Sequence, residues 1–352
     1  MLAAAATVAL IAGIVAGAGI RERRSEKEPP PERPEAAPRE KADVDRLSLR
    51  QQVGQLLVTS FPGATAPDYV RRRLRDAEGA GVILFGENTS TREGLTALTR
   101  ALQRHARGSA LVSVDQEGGE VRNVPFVGPE QGQAGQPDPR TAARDAGRGL
   151  RALGVNVTLT PVADTDFAGR SFRDPVRGTA EAVAGYRGSG VAATAKHFPG
   201  LGGAGQNTDD AAVTIRGTPD LAPFRAAIRG RVPLVMSSHA DYPALDGERI
   251  ASQSPAILNR LLRGRLGFDG VVITDSIEAE AVIGRQPVEA AAERSVAAGC
   301  DLILMTGSGS PKLVYPRLLR AARRSPAFRR RVRQSAARVI ALKRSLGLRP
   351  PR

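Results

Sequence analysis

The chain has 352 residues, 41% of them hydrophobic, enough for a large core and for one big α/β domain or two small ones. Its formal net charge is +15, but aromatic residues make up 4% and tryptophan is absent. The positive surface therefore lacks the stacking side chains of a nucleic-acid binder, and no nucleic-acid partner is expected. The single Cys300 allows no internal disulfide, and one Cys with three His argues against a Cys/His zinc site. No cofactor is expected.

Leu2 to Ile20 is an uncharged run of Ala, Val, Ile, Leu, Gly and Thr. It has about the length that spans a bilayer, roughly 20 residues. Its small residues also suit a signal peptide, with Val15-Ala16-Gly17-Ala18 as the cleavage region. Arg21, Arg23 and Arg24 follow the run and no positive residue precedes it. Taken literally, that order puts the main domain in the cytoplasm; a start further upstream would supply the missing positive region. The expectation is a transmembrane anchor or export signal over 1–20, with the rest extracytoplasmic, at the cell membrane or secreted. Residues 21–45 are rich in Pro, Glu, Arg and Ala without an apolar period, and read as a disordered linker.

From Leu47 onward short apolar runs recur: Val53-Ser60, Gly81-Phe85, Ala110-Val114, Val155-Pro161, Gly190-Ala195, Val232-Ser237, Gly270-Ile273 and Asp301-Met305. Between most of them lie helical segments. Asp68-Ala77 and Thr91-Ala106 carry apolar residues three and four apart, and Thr141-Leu153 and Thr179-Arg187 are rich in Ala and Arg. Asp220-Arg229, Ser254-Arg265, Pro287-Ala298 and Pro311-Ala322 carry a Pro at or beside their start. About eight strands alternating with helices over 46–348 predict a single (β/α)8 barrel of the TIM type. A doubly wound sheet is disfavoured because no GxGxxG turn follows the first strand. Ala327 to Leu346 reads as the closing helix, packed by Val332, Ala336, Val339 and Ile340 with its arginines in solvent.

In such a barrel the active site lies at the C-terminal ends of the strands. Asp115 and Glu117 follow one run, Asp164 and Arg170 the next, Lys196 and His197 the next, His239 the next, and Asp275 the last but one. One strand ending in Asp means little. Five strand ends carrying charged or His side chains on one rim predict a pocket for a hydroxyl-rich ligand, a sugar or polyol.

Three stretches also carry a resemblance. Ser113-Val-Asp115-Gln-Glu-Gly-Gly119, Lys196-His-Phe-Pro-Gly200-Leu-Gly202 and Gly267-Phe-Asp-Gly-Val-Val-Ile-Thr-Asp275-Ser resemble the signatures of glycoside hydrolase family 3, in its single-domain β-N-acetylglucosaminidase branch. The resemblance covers about Leu47 to Leu346. It implies a (β/α)8 catalytic domain, no metal, and a retaining mechanism through a covalent glycosyl-enzyme. It also implies that Asp275 is the nucleophile and that Asp115, Arg170, Lys196 and His197 bind sugar hydroxyls, with His239 another pocket residue. A carbohydrate is the implied partner, and a monomer is expected.

The chain departs from that branch at one loop. The branch reads Lys-His-Phe-Pro-Gly-His-Gly and then Asp-Ser-His, where an Asp–His pair is the general acid/base. Here Leu201 follows Gly200, and the loop reads Gly202-Gly-Ala-Gly-Gln-Asn207-Thr208-Asp209-Asp210, without a His. Aligned with Asp-Ser-His, Asn207-Thr208-Asp209 puts Asp209 at the acid/base position, with Asp210 the alternative. A carboxylic acid there needs a raised pKa, from burial or from the nucleophile's charge. The second departure is Glu120 directly after Gly119, where the family carries Arg; Arg122 is the candidate to replace a later Arg. The expected activity is removal of terminal β-linked N-acetylglucosamine from cell-wall-type glycans. The alternatives are a β-glucosidase or β-xylosidase of the same family, and a catalytically impaired glycan-binding protein.

Overall fold

The computed structural model describes residues 43–167, 169–307 and 309–352. The hydrophobic run of Leu2 to Ile20 and the proposed linker up to residue 42 lie outside them. Eight parallel strands close into a barrel: β1 (Leu57–Thr59), β2 (Gly81–Ile83), β3 (Leu111–Val114), β6 (Val157–Thr158), β7 (Ala192–Phe198), β8 (Leu234–Ser237), β9 (Val271–Ser276) and β10 (Leu302–Met305). The strands β4 (Gln116–Gly118) and β5 (Val121–Arg122) form a separate antiparallel ribbon above β3. Closure is made by β1 against β10, with Leu57, Val58 and Thr59 opposite Ile303, Leu304 and Met305. The expected (β/α)8 architecture is the observed one.

Alternation along the strands builds two hydrophobic layers. Val58, Ile83, Leu111, Val157, Ala192, Leu234, Val271 and Leu302, one from each strand, share the cluster that fills the barrel. Their neighbours, such as Val82, Val112, Val235, Val272 and Ile303, pack outward under the helices. The same period fixes the rim. Asp275 is in phase with Val271 and Ile273, Lys196 with Ala192, and Asp115 with Leu111, so all three are directed to the barrel's mouth.

Each strand overlaps its apolar run, with shifts that have local causes. Ser48 caps the helix Leu49–Gly54 through a capping box with Gln51, so Val53 and Gly54 are helical and β1 starts at Leu57. Gly190 ends the helix Pro175–Ser189 in the left-handed region, so β7 begins after it. At its far end β7 runs through Lys196 and His197, which therefore lie in the strand and not in a loop. Ala256–Arg265 is wound as a π-helix.

The closing helix, Pro326–Ser345, buries Val332, Ala336, Val339 and Ile340 as expected. Its arginines are not all in solvent. Arg331 and Arg338 reach the fully buried Asp301, at 2.6 and 3.3 Å, and Arg263 joins them at 2.5 Å. A carboxylate with no exposure must be paired where it lies, and this helix supplies two of the cations. At the helix's other end Asp43 contacts Arg344, and Val44 is fully buried.

Lys343, on the same helix, is 1% exposed and donates to Gln55 Oε1 at 2.6 Å and to Ser109 Oγ at 3.4 Å, with no carboxylate partner among the described residues. Burial pushes its pKa down to about 7. The unfolded chain holds that proton up to about pH 10.4, so between the two values unfolding takes up a proton. The resulting destabilisation is complete below about pH 7 and fades as pH rises towards 10.4. Lys343→Met is expected to raise Tm at neutral pH by about 2 °C or more, with a smaller gain at pH 10. An equal shift at both pH values, read by thermal melts, would contradict the buried-charge account.

Candidate active site

A cluster of charged side chains sits on the barrel's rim, assembled from the end of β3, from β4, β7 and β9, and from the loop that follows β6. Lys196 is buried and bridges two carboxylates, Asp115 Oδ1 at 2.6 Å and Glu117 Oε1 at 2.7 Å. Arg170 grips Glu117 with two parallel bonds, Nε to Oε2 at 2.9 Å and Nη2 to Oε1 at 2.6 Å. Burial works to raise the Glu117 carboxyl, but the Lys196 and Arg170 charges outweigh it and hold it down at about 2. Burial likewise works to lower the Lys196 ammonium, and Asp115 and Glu117 raise it above its ordinary value. The four groups form one ion-paired network, with Arg170 and Asp115 its more open members, at 23% and 18% side-chain exposure.

Glu117 reaches the network through the β4–β5 ribbon. Gly118 and Gly119 turn there with φ of 101° and 61°. A Cβ on Gly118 would lie 2.2 Å from the Gln131 carbonyl oxygen, so glycine is required. Arg122 lies in β5 opposite Gln116 and makes no ion pair with the cluster among the described residues.

Asp164, fully buried, organises the next part. Its carboxylate accepts the backbone N–H groups of His197 at 3.0 Å and Leu201 at 2.8 Å, and lies 2.6 Å from His197 Nδ1. With Nδ1–H donated to Asp164, His197 turns Nε2 towards Asp275 Oδ2, 3.8 Å away. Phe167 meets the ring edge-on, with centroids 5.7 Å apart. Asp164→Asn keeps the shape and removes the charge that fixes this ring. We expect turnover to drop by about a hundredfold with KM little changed, in steady-state kinetics; unaltered turnover would remove Asp164 from the site's architecture.

Asp275, at the end of β9, is 8% exposed. Burial works to raise its carboxyl, but His197, then His239 and Lys196, and the Ser276 N–H at 2.8 Å hold it below the usual carboxylate range. It is therefore an anion at neutral pH. His239 is fully buried beneath it, its Nδ1 2.7 Å from Ser252 Oγ and its Nε2 without a hydrogen-bond partner among the described residues. Burial pulls its pKa down, against the opposing pull of the Asp275 charge.

Asp209 stands across the mouth on the glycine-rich loop after β7. Thr208 anchors the loop inside the protein, and the carbonyls of Thr208 and Asp209 accept from Ala281 and Glu280, at the start of the helix Glu280–Ile283. The Asp209 carboxyl accepts from Asn207 Nδ2 at 3.0 Å. It remains open to solvent, yet the protein packed around it, and after that the negative charge of Asp275, push its pKa up to about 6. Asp210 is exposed, with a backbone bond to Asn207. Among the described residues no three His, Cys, Asp or Glu side chains are grouped to hold a metal ion.

The sequence matches the glycosyl hydrolase family 3 N terminal domain over residues 48–342. The chain belongs to glycosyl hydrolase family 3. A β-hexosaminidase of Bordetella parapertussis is 33% identical over 280 residues, covering 71% of this chain and 79% of that one. A protein of Arthroderma benhamiae named as an uncharacterized secreted glycosyl hydrolase is 34% identical, covering 85% of this chain and 94% of its own. Among solved structures, the β-N-acetylhexosaminidase of Beutenbergia cavernae superposes with a TM-score of 0.78 at 30% identity, covering 84% of this chain and 98% of that one.

In this family 3 barrel, Asp115, Arg170, Lys196, His197, Asp209, Asp275 and His239 all lie at or beneath one rim. His239 is the most enclosed, with no exposed surface for a ligand. Glu117 and Asp164 were legible as residues following strands, but not as the carboxylates that hold the site's cations. Held at about 2 by two cations, the Glu117 carboxyl is a poor proton donor.

Proposed function

We propose that the chain is a retaining β-N-acetylhexosaminidase that removes terminal β-linked N-acetylglucosamine, with Asp275 as nucleophile and Asp209 as general acid/base. The observation that carries this reading is the opposed state of two carboxyls at one mouth. Asp275 is held below its ordinary pKa, while Asp209 beside it is pushed up to about 6. The relatives' names support the sugar.

The steps follow from that pairing. Asp209 gives its proton to the glycosidic oxygen as the bond from C1 to the leaving group breaks. Asp275 adds to C1 and forms a glycosyl ester. Asp209, now ionised, takes a proton from a water that attacks C1, and Asp275 is released. Lys196, Asp115, Arg170 and His197 bind the sugar's hydroxyls, and the ion-paired network makes those hydrogen bonds charge-assisted. His239 supports Asp275 from below.

Leu2 to Ile20 would export or anchor the chain, which acts as a monomer outside the cytoplasm. The Arthroderma relative's name includes "secreted". Among the described residues no helix is long and apolar enough to cross a membrane.

Hydrolysis of aryl β-N-acetylglucosaminide, β-glucoside and β-xyloside by the full chain tests the reading. Turnover of the first at least a hundredfold above the other two is expected. Equal turnover of all three would move the substrate to the β-glucoside or β-xyloside class. Sugar binding without any turnover would make the chain a glycan-binding protein.

A further inference from the structure

The barrel carries its charge unevenly. Because its strands are parallel, the helices that lead into β2, β3, β6, β7, β8 and β9 all end at the base, opposite the mouth. Their last turns hold Arg72, Arg104, Arg151, Arg187, Arg229 and Arg265, all exposed. Arg107 and Arg231, in the loops after two of these helices, and Arg323 and Arg324, at the end of the helix Ser310–Arg324, extend the ring. The closing helix lies across the same base: Val339 and Leu342 join the cluster that fills the barrel, and Lys343 reaches Ser109 just before β3. The carboxylates of this face are mostly engaged. Asp76 pairs with Arg75, Glu78 with Arg50, Asp43 with Arg344 and Asp45 with Arg333, and Asp301 is buried, which leaves Asp269 exposed. The mouth's carboxylates, among them Asp115, Asp209 and Asp275, lie at the far end.

A cation in a last turn complements the helix dipole, but a helix C-terminus carries only roughly half an elementary negative charge. The ring therefore keeps most of its positive charge. Its shape selects the partner. Arginines at helix ends around a closed barrel lie on all sides of one face, which fits a flat charged surface; a single polyanion strand needs a track along one side. The large exposed hydrophobic side chains among the described residues, Val176, Ile283 and Leu313, lie on helix starts or loops nearer the mouth. Contact at the base is therefore electrostatic and does not insert. The described chain also begins on this face, at Asp43, so the residues before it join the barrel at its base.

We propose that the base of the barrel is a docking face for an anionic lipid bilayer, on which the chain sits with its mouth directed away. Guanidinium groups meet headgroup phosphates there, and the attraction falls off within a Debye length, so salt weakens it.

Co-sedimentation of the full chain with vesicles tests it, comparing phosphatidylcholine alone with an equal mixture of phosphatidylcholine and phosphatidylglycerol. Any pull of Leu2 to Ile20 on lipid acts on both, so the face is read from the difference. Binding to the anionic vesicles should be about tenfold tighter or more at low salt, and high salt should remove the difference. Arg107 and Arg231 stand on different sides of the ring at φ of 53° and 58°, where the backbone favours glycine, so Arg107→Gly and Arg231→Gly should fold. Each should weaken the anionic binding about fivefold, and the two together about twentyfold. Arg216→Gln removes a charge from an exposed loop on the mouth's side and should change nothing. Equal binding to the two vesicles, basal variants that bind no more weakly than Arg216→Gln, or capture by soluble polyglutamate where the anionic vesicles capture nothing, would overturn the proposal. No substrate is present, so the docking face and the hydrolase reading stand or fall separately.

Discussion

Asp275→Ala is expected to lower kcat on an aryl β-N-acetylglucosaminide by about 10⁴-fold or more, while the folded barrel and sugar binding persist. The magnitude follows from what the carboxylate does. It is the atom that bonds to C1, and until then it is the fixed negative charge that an oxocarbenium-like centre meets. No other described group can take over. Asp115 and Glu117 are tied to Lys196 at 2.6 and 2.7 Å, and Asp164 is spent on His197 and the loop backbone. The fold should tolerate the change because Asp275 is a costly residue to bury. Its carboxylate lies in a site where desolvation opposes ionisation, compensated by His197, His239 and Lys196. The variant also has a second readout. The Asp275 charge is one cause of the raised Asp209 pKa, so removing it should lower that pKa from about 6. Full activity in Asp275→Ala, or an Asp209 pKa that does not move when followed by NMR, would sink the assignment.

The barrel was readable because its signal is local. Each strand is a short apolar run, and period-two alternation carries Val271 and Ile273 directly to Asp275. What sequence could not supply were pairings made across the mouth. Glu117 and Arg170 are 53 residues apart, and Asp164 and His197 are 33 apart. Each looks like an ordinary polar residue after a strand until closure brings them together. The arginines of the closing helix are a parallel case. Their spacing places Arg331 and Arg338 on a polar stripe, and only the buried Asp301 draws them inward. In the opposite sense, the helix Leu49–Gly54 was legible: Ser48 and Gln51 have capping-box spacing, but the apolar Val53 to Val58 stretch reads more strongly as one strand.

Asp209→Asn should separate the two chemical steps. A general acid contributes about 10²–10⁴-fold, and its contribution grows with the basicity of the leaving group. Hydrolysis of an N-acetylglucosamine disaccharide should therefore fall by about 10³-fold. A dinitrophenyl glycoside, which departs without a proton, should still form the glycosyl-enzyme rapidly, and the intermediate should accumulate because no base activates water. Azide, a nucleophile that needs no base, should restore turnover and give a β-azide product, since two displacements retain configuration. The pH profile gives an independent check. Asp209 must be protonated and Asp275 ionised for the first step on the disaccharide, so its kcat/KM should decline as pH rises through about 6, whereas the dinitrophenyl substrate, which needs no proton, should show no such decline. Asn207→Ala tests the same group from the other side. It deletes the donor at 3.0 Å that favours the charged carboxyl, so the decline should move to higher pH. If Asp209→Asn keeps full activity on the disaccharide and Asp210→Asn abolishes it, the acid is Asp210. A disaccharide profile flat through pH 6 in the unmodified chain would remove Asp209 from the role, because the acid's own titration must appear in that profile.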